Sequence, residues 1–151
     1  MNNEMRELYQ QMILSHNKNP KNFRVIDEPS HYAEGHNPLC GDNLNVYIVL
    51  DDDNIIQDIS FQGSGCAISK SAASMMTEAL KGKSEETARL MFEDYHQLVT
   101  GQLKGPEAKE KLGKLTIFSG IWEYPSRVKC ASLSWHAVKA ALDNEEVAST
   151  E

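Results

Sequence analysis

The order of patterns along this 151-residue chain predicts an α+β fold, with strands first and helices after. Val46, Ile48 and Leu50 alternate with Tyr47 and Val49. Across an Asp51-Asp52-Asp53-Asn54 turn, Ile55, Ile59 and Phe61 share one face of a second run, the mark of a β-hairpin. From residue 66 onward, apolar residues return at helical spacing in successive stretches, each bounded by Gly, Pro or a capping residue.

Ahead of the hairpin, Leu8, Met12 and Leu14 give residues 4–15 a helical spacing, and the Asn-Lys-Asn-Pro segment ending at Pro20 stops that helix. Residues 21–38 mix Pro, His, Asn and Gly without a period and read as an ordered excursion across the surface that delivers the chain to Cys40. Gly63-Ser64-Gly65 breaks the second strand. Ile68, Ala72, Met75, Met76, Ala79 and Leu80 then form a helix up to Gly82, opened by Cys66. Ser84, followed by Glu85, Glu86 and Thr87, caps a further helix whose Ala88, Met91, Phe92, Tyr95 and Val99 run to Gly101. The charged stretch 104–113, with its Gly-Pro break, predicts a short exposed helix, and 115–121 is an apolar run too short to assign. Val128, Ala131, Trp135, Val138 and Leu142 make the last helical stripe, with Pro125 near its start and Cys130 in its first turns. No repeat or second composition regime divides the chain, so residues 1–145 read as one domain and 146–151 as a frayed acidic tail.

Fifteen Lys and Arg against 22 Asp and Glu leave a formal charge of −7, which excludes broad attraction to nucleic acid or to an anionic membrane surface and leaves specific protein partners open. Residues 1–11 are polar and charged, with no apolar core for export. No uncharged run approaches the roughly 20 residues of a membrane helix, so the expected location is the cytoplasm. Three cysteines in a reducing compartment point to metal binding or thiol chemistry ahead of disulfides.

Each cysteine falls at the edge of an element: Cys40 in a loop before the hairpin, Cys66 after a Gly-Ser-Gly turn, and Cys130 near the start of the last helix. Helix N-terminal amides stabilise the thiolate, the form that binds metal and attacks electrophiles. Glycines at 41, 63 and 65 would let the backbone pass close to a shared ion. Three thiolates leave one position of a tetrahedral zinc site open, and Asp42, two residues after Cys40, can fill it; the alternative for Asp42 is an Asx turn with Asn43. His36 is a second candidate for the fourth ligand. Arg127 and Lys129, beside Cys130, could hold a neighbouring thiolate or persulfide by charge. An oxygen ligand binds zinc less softly than sulfur, so such a site could exchange ligands. No His-Glu helix pair supplies the general base that a zinc hydrolase requires.

The segments Asn37-Pro-Leu-Cys-Gly-Asp42, Gly63-Ser-Gly-Cys-Ala-Ile-Ser-Lys-Ser71 and Arg127-Val-Lys-Cys130 together resemble the SufU/IscU (NifU N-terminal-like) family of iron-sulfur cluster assembly proteins, over almost the entire chain. The resemblance implies a SufE/NifU-like α+β fold, a small antiparallel sheet backed by helices, and a metal site at Cys40, Asp42, Cys66 and Cys130. Lys129 stands where IscU-type scaffolds carry histidine, the stretch between Cys66 and Cys130 is longer than theirs, and residues 122–128 depart from their Leu-Pro-Pro-Val-Lys chaperone motif. These features resemble the SufU branch. That likeness implies a zinc-binding acceptor of persulfide sulfur on Cys40, with a SufS-type cysteine desulfurase and a SufBCD-type assembly complex as partners. Two further readings use the same residues: a scaffold for a transient iron-sulfur cluster, and an adaptor whose zinc is purely structural.

Overall fold

The structure, a computed structural model, describes residues 3–149. In chain order its elements are α1 (Asn3–Lys18), β1 (His31–Asn37), β2 (Asp42–Leu50), β3 (Ile56–Ser64), α2 (Ala67–Leu80), α3 (Glu85–Val99), α4 (Gly105–Leu112), two 3-10 turns (Gly113–Phe118 and Ile121–Glu123), α5 (Pro125–Leu142) and β4 (Val147–Ser149). The sheet order is β3-β2-β1-β4; β2 runs antiparallel to both β1 and β3, and β4 adds one parallel strand beside β1. This is the α+β class expected, with one strand running the other way.

The hairpin forms where its alternation places it. Leu44, Val46 and Ile48 are buried on β2, and Val46 pairs with Phe61 and Ile48 with Ile59 across the register, so one face is continuously apolar. Helix α5 packs on β1, β2 and β4, α2 packs on β3 and α5, and α1 and α3 cover the outer sides of α2 and α5. Because neighbours surround it, α5 is buried on nearly all sides from Cys130 to Leu142, Lys139 being the exposed residue. Its Trp135 stacks on Tyr95 of α3 with ring centroids 4.6 Å apart, and the Tyr95 hydroxyl donates to the Ala131 carbonyl at 2.7 Å.

Three expectations need correction, and one unassigned stretch receives its structure. The excursion at 21–38 holds a full strand, β1, whose inward residues are Ala33, Gly35 and Asn37. Small or polar side chains on the buried face leave no hydrophobic alternation to read. Part of the same stretch lies along the open edge of β3, where Arg24 donates to the Phe61 carbonyl and Phe61 to that of Asn22. The tail at 146–151 does not fray as far as it is described: Val147–Ser149 pairs with Glu34–His36, and the Glu34 amide donates to the Glu146 carbonyl at 2.8 Å. The apolar run at 115–121 becomes 3-10 turns that bury Leu115, Ile117, Phe118 and Ile121. On α1 the core face is Tyr9, Met12 and Ile13, with Leu8 and Leu14 exposed, because 9, 12, 13 and 16 form the true i, i+3, i+4, i+7 stripe. His16 closes that stripe by hydrogen-bonding to the Ser74 hydroxyl of α2 at 2.7 Å.

Candidate metal centre

Three elements meet at one end of the sheet, and each carries a thiol. Cys40 lies in the short loop joining β1 to β2, with its amide donating to the Asn37 carbonyl at 3.2 Å. Gly41 next to it has φ +72°, a left-handed conformation that turns the loop tightly and that a side chain would strain. The loop closes on a cross-strand pair, Asn37 opposite Asp42, both facing inward and almost fully buried.

Asp42 does not turn onto its own backbone. One carboxylate oxygen accepts the Cys66 amide at 2.9 Å and the other accepts from Asn37 Nδ2 at 3.1 Å, so this one side chain ties the hairpin to the start of α2. Cys66 is the N-cap of α2; its sulfur accepts the Ser69 amide at 3.4 Å, while the Ser69 hydroxyl reaches back to the Cys66 carbonyl at 3.1 Å. Gly65 permits this crowding. A Cβ there would stand 2.3 Å from Ser69 Oγ and 2.8 Å from Asp42 Oδ1.

Cys130 comes from below, on the second turn of α5. It is buried, its sulfur lies 3.4 Å from that of exposed Cys40, and Asn37 Nδ2 reaches it at 3.5 Å. Cys40, Asp42 and Cys130 each offer a ligand atom within 4.8 Å of the others. Cys66 stands just outside that group, with its sulfur turned to the helix cap. Burial pushes the Cys130 thiol far above its ordinary range, and the neighbouring Cys40, Cys66 and Asp42 push it the same way. Of the two cysteines expected at helix starts, only Cys66 receives an N-terminal amide; Cys130 instead faces the Ser126 carbonyl at 3.5 Å.

The arrangement therefore gathers two thiols and a carboxylate with the third thiol, Cys66, alongside, and among the described residues no Lys or Arg forms an ion pair with Asp42. Such a donor set is repelled by its own negative charge once ionised, and a soft divalent cation relieves it. The residues present fit zinc or an iron-sulfur cluster.

The other candidates fall elsewhere. His36 points to the opposite face of β1 from Asn37, where its ring meets Asn43 Oδ1 at 2.5 Å and Glu34 at 3.6 Å. Arg127 is exposed, its guanidinium 4.9 Å above the Tyr124 ring, and Lys129 is half-buried without an ion pair among the described residues. Asn37 and Ser69 lie inside the segments that carry the family resemblance, but sequence reasoning gave neither a role in the site. Ser69 had a signal in its spacing, three residues after a capping position. Asn37 had none while β1 was unread, since its role rests on the strand pairing.

The NifU-like N terminal domain model matches residues 8–144. A protein of Bacillus subtilis (strain 168) named zinc-dependent sulfurtransferase SufU is 40% identical over 139 residues, covering 92% of each chain. The iron-sulfur cluster assembly scaffold protein IscU of Streptococcus pyogenes serotype M1 is 36% identical over 139 residues, covering 92% of this chain and 85% of its own. A crystal structure from Fervidobacterium islandicum AW-1, of a candidate iron-sulfur cluster assembly scaffold protein for the SUF system, superposes with a TM-score of 0.82 at 32% identity, over 90% of this chain and 97% of that one.

Proposed function

The chain belongs to the NifU-like N-terminal domain family, and from that premise we propose that it is a zinc-dependent sulfur acceptor in iron-sulfur cluster assembly, with Cys40 as the accepting thiol. One observation carries the reading: of three clustered thiols, Cys40 alone is exposed, on a loop, while Cys130 is buried and Cys66 is held in a helix cap. A thiol that must meet a donor on another protein has to reach outward, and the two fixed ones serve better as ligands.

Zinc would be held by Cys40, Asp42, Cys66 and Cys130, where its charge keeps the thiols deprotonated at neutral pH. The transfer itself belongs to Cys40. Its thiolate attacks the outer sulfur of a persulfide on the donor; the donor's S–S bond breaks, the donor leaves as a thiolate, and the persulfide now stands on Cys40. Oxidation states balance, so no further oxidant or reductant enters. The donor is a SufS-type cysteine desulfurase and the recipient a SufBCD-type assembly complex. Residues 1–145 act as one unit in the cytoplasm, where the thiols stay reduced.

The test is mass spectrometry of the zinc-loaded protein after incubation with desulfurase and cysteine. Added sulfur is expected on Cys40 of the unchanged protein and none on Cys40→Ser prepared with its zinc in place; equal loading of the two would sink the assignment. The scaffold reading keeps support from the relatives named as scaffolds. Protein purified with stoichiometric colourless zinc favours the acceptor, whereas iron, sulfide and visible absorption favour the scaffold.

A further inference from the structure

A groove of about 650 Å³ runs between α1 and the 3-10 turns, and Ile68 of α2, two residues past Cys66, and Arg127 of α5, three before Cys130, line it. Its charge opposes that of the chain. The lining carries Arg6, Lys104 and Arg127 against the single carboxylate of Glu123, in a protein whose formal charge is −7.

Five cations elsewhere, Arg24, Lys81, Arg89, Lys111 and Lys139, each stand within 4.0 Å of a carboxylate. Among the described residues none of the three groove cations forms such a pair. Two of them lie over aromatic rings instead, Lys104 Nζ 4.6 Å from the Trp122 centroid and Arg127 4.9 Å from that of Tyr124. Both rings remain open to solvent, at 42% and 52% exposure. The cations also come from separate elements, Arg6 from α1, Lys104 from the residue before α4 and Arg127 from α5. A small anion would want them converged on one point; carboxylates spaced along a chain would want them distributed.

We propose that this groove docks an acidic segment of a partner protein, with its carboxylates on Arg6, Lys104 and Arg127 and an apolar side chain against Trp122 and Tyr124. Desolvated cation–carboxylate contacts set orientation and encounter rate, and the exposed rings supply apolar area. The groove shares α2 and α5 with the thiol site, so a segment held there would bring its owner onto the helices that carry Cys66 and Cys130. The docking claim does not depend on what passes between the two proteins, so sulfur transfer and groove binding can fail separately.

The protein has two tryptophans, and Trp135 is buried at 1% exposure, which provides an internal reference. Isotope-labelled protein is titrated with a short synthetic peptide alternating Glu and Leu, with its Lys-for-Glu counterpart, and with phosphatidylserine vesicles. The acidic peptide is expected to shift the Trp122 indole resonance saturably while that of Trp135 stays in place, and added salt is expected to weaken the effect. Combining Arg6→Glu with Lys104→Glu is expected to weaken binding about tenfold. Equal response to the acidic and basic peptides, undiminished binding by the double variant, or a Trp122 shift with the vesicles alone would overturn the proposal. The salt and basic-peptide arms use the unchanged protein, so the result does not hang on how the variant folds.

Discussion

Helix α5 changes character along its length. Its first turn, from Pro125 to Lys129, is exposed or half-buried, carries Arg127 and Lys129, and leads to a thiol whose partners are another thiol, a side-chain amide and the Ser126 carbonyl. From Ala131 onward the helix is sunk among apolar neighbours, with Trp135 stacked on Tyr95 and Tyr95 set edge-on to Phe118. The second region is held by buried area and shape, which need no ligand. The first is held by a few hydrogen bonds around groups that repel one another when ionised. The lesson is that removing a ligand from the first region should change chemistry, whereas removing a side chain from the second should change stability.

The largest effect should fall on the packed region. Trp135→Ala is expected to cost about 3–5 kcal/mol of unfolding free energy in urea melts, and a loss below about 1 kcal/mol would erase the contrast between the two regions. Next comes the thiol end. Asn37→Ala removes the amide that bridges Asp42 and Cys130, and should weaken zinc binding roughly 10–100-fold in competition with a chromophoric chelator. The melt of the metal-free protein should move much less than for Trp135→Ala; an equal loss would mean that Asn37 is a core residue and positions nothing. A smaller change tests the boundary between the regions. Tyr95→Phe keeps the stack and deletes only the hydrogen bond to Ala131, so about 1 kcal/mol of stability should go, with zinc affinity unchanged.

The smallest effect is acid sensitivity within the packed half. Burial, and then the charges of His96 and Lys139, hold His136 below the usual histidine range, and burial does the same for His16 despite the opposing pull of Glu78. A histidine whose folded pKa is lowered binds its proton more readily when unfolded. Stability is therefore intact above the unfolded value near 6.5 and declines as pH falls below it, down to the folded value. Melting temperatures of the metal-free protein should fall between neutral pH and pH about 5, and His136→Gln should flatten that slope. An unchanged slope would place the acid response elsewhere.

Legibility followed the type of signal. Helices α2, α3 and α5 could be read because large apolar residues recur in their sequences at helical spacing, with a capping residue at Ser84 and proline at the start of α5. Strand β1 could not, because Ala33, Gly35 and Asn37 hide its buried face, and β4 is too short for any period and gains its partner only from β1. The same gap explains the site. Cys40, Asp42, Cys66 and Cys130 stood out by residue type and by their matching contexts, but Asn37 acquires meaning only as the strand partner of Asp42.

The chain by itself determined its class, its helices and the donor types, because periodicity, capping and side-chain chemistry are local properties. Which donors approach one another was decided by the tertiary structure. Register across β1 and β2 and the crossing of α5 beneath them are long-range choices, made by the shared burial of faces that lie far apart in sequence. They set Cys40 against Cys130 and Asp42 against the start of α2, turned His36 to the other side of the sheet, and left one thiol of three facing outward.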